Sequence, residues 1–218
     1  TSAGVQRAML TTTGYPRNEA LHRPIPDADI PNDQDQEYLS SVISVDSLIM
    51  YLPTFRKGDA NPLEDAFDLS ALDEVLADAH SHLLMKPHAN TTTDEIEELD
   101  NITSLSADTD IYPVLRETDI LITDYSSVHF DYLLTDGKLI FYSYDYDDYE
   151  AQRGFLTEYD AVTPGPKAHN FDELCYWIKV FTAGGDGYRQ DRDELRTRMH
   201  TWTDGEYSRR VVNEIRSL

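Results

Sequence analysis

One cysteine, Cys175, stands in 218 residues. A chain with a single thiol has no disulfide framework and no zinc site built on several thiolates. Lysine is almost as scarce: Lys57, Lys86, Lys138, Lys167 and Lys179 are the whole complement. No run of about 18 apolar residues occurs, so no stretch reads as a membrane-spanning helix. No charged-then-apolar leader opens the chain. The glycine-rich phosphate loops GxGxxG and GxxxxGK[ST] are missing, which leaves out the dinucleotide fingerprint and the Walker loop. HExxH, paired cysteines and the GxSxG elbow are missing too, so no zinc-protease or serine-hydrolase pattern is offered. The chain opens at Thr1 rather than Met, which reads as a processed chain or a piece excised from a longer one.

What the sequence has in abundance is acid. Asp and Glu number 41 against 18 Lys and Arg, giving a net charge of −23. Such a chain repels nucleic-acid phosphates, so no nucleic-acid partner is expected. It repels anionic lipid headgroups as well, except where basic residues gather locally. Acid-rich, lysine-poor surfaces suit a salt-loaded, halophilic cytoplasm, because at about 1 M salt the Debye length falls to ~3 Å and self-repulsion is screened.

Residues 14–36 carry Pro16, Pro24, Pro26 and Pro31 among acidic residues and read as connector. Residues 47–52, SLIMYL, form a short apolar run stopped by Pro53, a buried strand. LSALDEVLADAH at 69–80 has apolar positions at helical spacing, with Ser70 as the expected cap. HLLMKP at 82–87 and NITSL at 101–105 read as further strands, and 111–117 as a short helix. Ile120, Leu121 and Ile122 form the clearest strand, followed by the turn Asp124-Tyr125-Ser126-Ser127 and a helix to about Leu134. KLIFY at 138–142 is the next strand, and 171–182, 189–201 and 205–217 read as helices. Near-continuously apolar strands alternating with helices predict an α/β fold, a Rossmann-like parallel sheet covered on both faces. The acidic runs 94–100 and 145–150 read as solvated faces. His80, His82 and His129 read as packing or solvent residues.

In an open parallel sheet ligands bind beyond the carboxyl ends of the strands. Thr54 and Arg56 follow the first strand, Lys86 and His88 the second, and Asp124 to Ser127 the fourth. Two cations, a histidine and several hydroxyls thus meet on one rim. A strand–TDYSS–helix unit presents free backbone N–H groups and two hydroxyls, for which an anion such as phosphate is the natural guest. On local sequence alone the plainer reading comes first: Ser126 merely caps its helix and Asp124 tidies the turn.

The ordered set of motifs goes further. Gly14-Tyr15-Pro16-Arg17-Asn18, Tyr51 to Arg56, Lys86-Pro87-His88 and Asp119 to Ser127 with Phe130-Asp131 come in that order. Arg153-Gly154-Phe155, Pro164-Gly165-Pro166, and Asp204-Gly205 with Ser208, Arg210 and Val211 follow. Across residues 14–212 this resembles the CDP-glycerol glycerophosphotransferase family of teichoic-acid polymerases and primases. The resemblance implies the C-terminal, donor-nucleotide half of a two-domain GT-B fold. Residues 1–46 are then the crossover from a missing N-terminal half, and 47–218 the Rossmann-like donor domain. It implies transfer of an alditol phosphate from a CDP-alditol to a hydroxyl acceptor in cell-surface polymer or glycan synthesis, with release of CMP and with no cofactor or metal.

By matching positions, the resemblance assigns Arg56, Lys86 and His88 to the diphosphate, with His88 as the catalytic candidate. Ser126 and Ser127 form the anion cradle. Asp124 either orients that loop or meets the donor's hydroxyls. Arg17, Thr54, Tyr125, Asp131, Arg153 and Gly154 join the substrate-binding set. Asp204, Gly205 and Ser208 form a second loop-to-helix start closing on the donor. The implied partners are the nucleotide-activated donor, a hydroxyl acceptor (polymer, lipid or glycan), the N-terminal half in the same or another chain, and the inner membrane face through peripheral contact from the cytoplasm. The strong acidity opposes that last contact. Phe55 replaces the usual Trp and Glu19 a common Asp. Two other readings stay open: the nucleotide-sugar half of a GT-B glycosyltransferase, and a non-catalytic nucleotide-binding domain.

Overall fold

The computed structural model describes residues 10–25, 45–54, 66–86 and 99–217. Arg56 and His88 lie outside the described residues, as does the acidic run 94–98. Six strands form one parallel sheet in the order β3-β2-β1-β4-β5-β6: β1 (Ser47–Leu52), β2 (Ser81–Met85), β3 (Ile102–Ser104), β4 (Ile120–Thr123), β5 (Lys138–Tyr142) and β6 (Lys167–Ala168). The order reverses between β1 and β4, where Leu52 lies opposite Thr123 in the register. A crevice opens at such a switch point, beyond the carboxyl ends of the two strands.

The strands are apolar on both faces because both faces are covered. Alternation sends Leu48, Met50 and Leu52 of β1 into one layer with Leu84, Leu121, Leu139 and Phe141. Ile49 and Tyr51 enter the other layer with Leu83, Ile122, Ile140 and Tyr142. Each such side chain, fully buried, contributes roughly 1.5–3 kcal/mol. Helices α1 (Leu69–Asp78) and α5 (Phe171–Thr182) cover the second layer through Leu72, Leu76, Leu174, Ile178 and Phe181. The first layer is closed by α2 (Ile111–Glu117), α3 (Val128–Tyr132) and α6 (Arg189–Met199), with α7 (Tyr207–Ser217) reaching it through Tyr207.

Local details depart from the sequence reading in four places. The cap of α1 is Asp68, not Ser70: Asp68 has the extended backbone of a cap and accepts from the Ala71 N–H at 3.0 Å, whereas Ser70 lies within the first turn. The second strand stops at Met85, so Lys86 is the first residue beyond it. The run at 145–150 belongs to a helix, α4 (Tyr146–Arg153), which buries none of its own residues and so is a solvated face in helical form. The two-residue strand β6 carries too short a pattern to read. It follows Pro164-Gly165-Pro166, where a Cβ on Gly165 would meet the Leu139 carbonyl oxygen at 2.2 Å. Only glycine permits that approach of the loop to β5.

Within the segment read as connector, Pro16–Leu21 form a 3-10 turn with Asn18, Glu19, Ala20 and Leu21 buried. Proline at the first position starts the turn and the His22 N–H closes it on the Glu19 carbonyl. The turn lies against α2 and α7. No helix among the described residues is long and apolar enough to cross a membrane.

Candidate functional site

The exits of β1 and β4 are tied together by one buried carboxylate. Asp124 accepts from the Thr54 Oγ1 at 2.6 Å, from the Thr54 N–H at 2.8 Å and from the Tyr125 N–H at 2.5 Å. Only 1% of Asp124 is exposed. Of the two roles expected for it, this geometry is that of the group that orients the loop. Its carbonyl in turn accepts from the Tyr159 hydroxyl at 3.0 Å.

Tyr125 joins an aromatic cluster with Tyr146, Tyr149, Phe155 and Tyr159. Its ring stacks on Tyr149 at 3.8 Å between centroids and its hydroxyl donates to Asp145 at 2.9 Å. Burial, with Asp145 beside it, pushes the Tyr125 phenol well above its ordinary value, so it stays a neutral donor. Arg153 lies over the Tyr149 ring, and Gly154, at φ 65°, ends α4. Tyr125, Arg153 and Gly154, three of the expected substrate-binding residues, thus build the aromatic wall behind the loop.

Ser126 and Ser127 remain at the crevice, half-buried and exposed respectively. Neither backbone N–H donates to any acceptor among the described residues. The Ser126 hydroxyl accepts weakly from the Val128 N–H at 3.4 Å, and Ser127 as N-cap forms no side-chain cap bond. The plain-cap reading of these serines therefore has little hold. Helix α3 is only five residues long, so it adds little of the dipole expected at a helix start. What the loop offers an anion is two free peptide N–H groups and two hydroxyls.

The loop divides two clefts. On one side a cavity of about 350 Å³ is lined by Pro53, Lys86, Thr109, Asp110 and Ser126. The Lys86 ammonium there donates to the Thr109 carbonyl, which fixes it at the rim. On the other side a cavity of about 570 Å³ is lined by Tyr15, Arg17, Ser127, Asp131 and Trp202, among others. Arg17 donates to Asp131 at 2.9 Å, and the same carboxylate accepts from Asn18 at 2.9 Å and Tyr112 at 2.7 Å. Burial works against the Arg17 charge, but Asp131 together with Tyr112 and Tyr15 outweighs it and the guanidinium pKa is raised. Tyr112 was not singled out from the sequence, since a tyrosine in a seven-residue helix carries no motif. Asn18 has a visible signal, its place beside Arg17.

The last expected element is closed from within the chain. The Ser208 N–H at the start of α7 donates to the Glu19 carboxylate, which also takes Arg23 at 3.1 Å. Asp204 is paired with Arg210, and Gly205, at φ 70°, packs against His22. The 3-10 turn brings the Glu19 carboxylate onto this N–H in the first turn of α7. Among the described residues no three His, Cys, Asp or Glu side chains gather as metal ligands do.

Residues 3–217 match the family described as CDP-Glycerol:Poly(glycerophosphate) glycerophosphotransferase. The chain belongs to this family. A teichoic acid glycerol-phosphate transferase of Staphylococcus aureus is 31% identical over 97% of this chain and 55% of its own length. A teichoic acid poly(ribitol-phosphate) polymerase of Bacillus spizizenii is 29% identical over 97% of this chain and 34% of its own. Among solved structures, a variant of the wall teichoic acid polymerase TagF soaked with CDPG superimposes with a TM-score of 0.77 at 27% identity, over 98% of this chain and 53% of that one. A UDP-N-acetylglucosamine 2-epimerase described as putative, from Listeria monocytogenes, shares the fold alone, with a TM-score of 0.59 at 16% identity. The chain thus spans about half the length of the transferase and of the TagF structure.

Proposed function

We propose that this chain is the donor-binding half of a CDP-alditol phosphotransferase acting in cell-surface polymer synthesis. The observation that carries the reading is the Ser126–Ser127 loop, at the reversal point of the sheet, with two unoccupied backbone donors between Lys86 on one side and Arg17 on the other. A diphosphate seated on the loop meets N–H groups and cations where charge builds during transfer, and such preorganised donors are each worth ~10²–10³ in rate. Membership of the family and the TagF likeness support the same reading.

In the reaction, an acceptor hydroxyl oxygen attacks the β-phosphorus of the donor. The new P–O bond forms as the bond to the bridging oxygen breaks, and CMP leaves with that oxygen. The loop and the flanking cations hold the diphosphate in line. Arg56 and His88 join them by family resemblance. Proton removal from the acceptor falls to the half that this chain does not cover, supplied in cis or by another chain. We place the enzyme in the cytoplasm.

Calorimetric titration of CDP-glycerol, CDP-ribitol and UDP-glucose tests the reading. Saturable binding of a cytidine donor, weakened by Lys86→Met and Ser127→Ala, is expected. Preference for UDP-glucose contradicts it in favour of a nucleotide-sugar enzyme.

A further inference from the structure

His129 sits beneath the loop with both ring nitrogens against carbonyl oxygens. Its Nδ1 is 2.6 Å from the Ser126 oxygen and its Nε2 is 2.9 Å from the Val162 oxygen. The ring is 4% exposed and packs edge-on to Phe141. A neutral imidazole has one N–H and satisfies one carbonyl. Only the imidazolium donates to both.

The grip on the Ser126 carbonyl has a stereochemical consequence. In a trans peptide the C=O and the N–H of the next residue point in opposite directions. No cis peptide is present among the described residues. With the Ser126 C=O turned down onto His129, the Ser127 N–H is turned outward, and it has no acceptor of its own.

We propose that His129 is the positioning residue of the anion loop: it aims the Ser127 N–H at the bound phosphate, and its ring takes up a proton from solvent when the anion arrives. The proposal rests on the donor reading for the identity of the anion, not for the geometry. In the free protein, burial outweighs the pull of the two carbonyls and of Asp131, and the ring's pKa is lowered. A bound anion tips that balance toward the imidazolium, whose second N–H then satisfies the second carbonyl. Charge and hydrogen bonding thus favour the same proton. On the elements packed around the ring, the groups that face it are the Ser126 carbonyl beyond β4, Phe141 of β5 and the Val162 carbonyl of the 160–162 turn.

The test uses the ¹⁵N-labelled chain, titrated with sulfate and with CDP-glycerol between about pH 5.5 and 8.5, the range in which histidine changes charge. Neither probe titrates there. The Ser127 amide is expected to shift with both anions, the His129 ring nitrogens to move toward the imidazolium pattern, and affinity to rise as pH falls. His129→Gln, which keeps N–H donors without a titrating ring, is expected to bind with a flatter pH profile. His129→Phe, which keeps only the ring, is expected to lose about tenfold in affinity, the worth of one hydrogen bond. A folded His129→Phe chain that binds both anions with unchanged affinity overturns the proposal, as does a Ser127 amide unmoved by sulfate. Should His129→Phe fail to fold, a His129→Gln profile identical to that of the unmodified chain overturns it equally. A response to sulfate without one to CDP-glycerol upholds the positioning role and removes the donor reading.

Discussion

Thr54 gives Asp124 two hydrogen bonds, from its hydroxyl at 2.6 Å and its N–H at 2.8 Å, and so pins the end of β1 to the end of β4. That pair ties the two strand ends that flank the crevice where the sheet order reverses. Replacing Asp124 by Ala leaves the Thr54 and Tyr125 N–H groups without their acceptor. A loss of about 1–3 kcal/mol per stranded buried group is expected, read as a lower midpoint in urea. Asp124→Asn, which keeps an acceptor, is expected to fall between. Equal stability of Asp124→Ala and the unmodified chain contradicts the role.

The close approach at Gly165 gives a second expectation. A methyl group there meets the backbone of β5, not a side chain that can swing away. Gly165→Ala is expected to cost about 1–3 kcal/mol. Gly187→Ala, where nothing lies within 4 Å of the added carbon, serves as the control and is expected to change little. Thermal melting of the two variants side by side decides it.

Acid is expected to loosen the join between the 3-10 turn and α7. Burial raises the Glu19 carboxyl, but the Ser208 N–H and Arg23 outweigh burial and its pKa lies below the ordinary 4.5. Arg210 holds Asp204 down to about 2. A depressed folded pKa means that the unfolded chain binds the proton first as pH falls. The contribution is therefore complete above the ordinary carboxylate range and is lost as pH drops through the folded values. Glu19→Ala is expected to cost about 1 kcal/mol at neutral pH, as lost helix caps do, and to flatten the acid limb of a stability-versus-pH curve. An acid limb of unchanged slope contradicts this.

Salt provides a fourth test. With a net charge of −23, the folded chain is expected to gain stability steeply as KCl rises toward molar concentration, where screening acts within ~3 Å. A melting temperature independent of KCl from low salt to 2 M argues against adaptation to a salt-loaded cytoplasm.

Much of the fold was legible in the sequence, for identifiable reasons. β1, β4 and β5 are unbroken apolar runs ended by Pro53, by the Asp124 turn or by polar residues, and buried parallel strands need that pattern. β6 was not legible, because two residues carry no period and its place is set by Gly165 against β5. Helix α4 was hidden by its composition: a helix that buries none of its own residues shows no apolar stripe. At the site, Ser126, Ser127, Lys86 and Arg17 could be named from motif and rim position. The bond from Ser208 to Glu19 could not, since it joins residues 189 apart in sequence. His129 was correctly read as a packed residue, but its grip on Ser126 depends on which way one peptide faces, and no sequence pattern reports that.

The central claim, a cytidine-diphosphate donor on the Ser126–Ser127 loop, is tested most directly by thermal melting in molar KCl with CDP-glycerol, CDP-ribitol, CMP, UDP-glucose and ADP. A ligand at ~100 times its Kd adds ~2.7 kcal/mol, about 5–10 °C for a chain of this size. The account predicts that the cytidine ligands alone raise the melting temperature and that Ser127→Ala reduces the rise. A rise with UDP-glucose and none with CDP-glycerol or CDP-ribitol would contradict it.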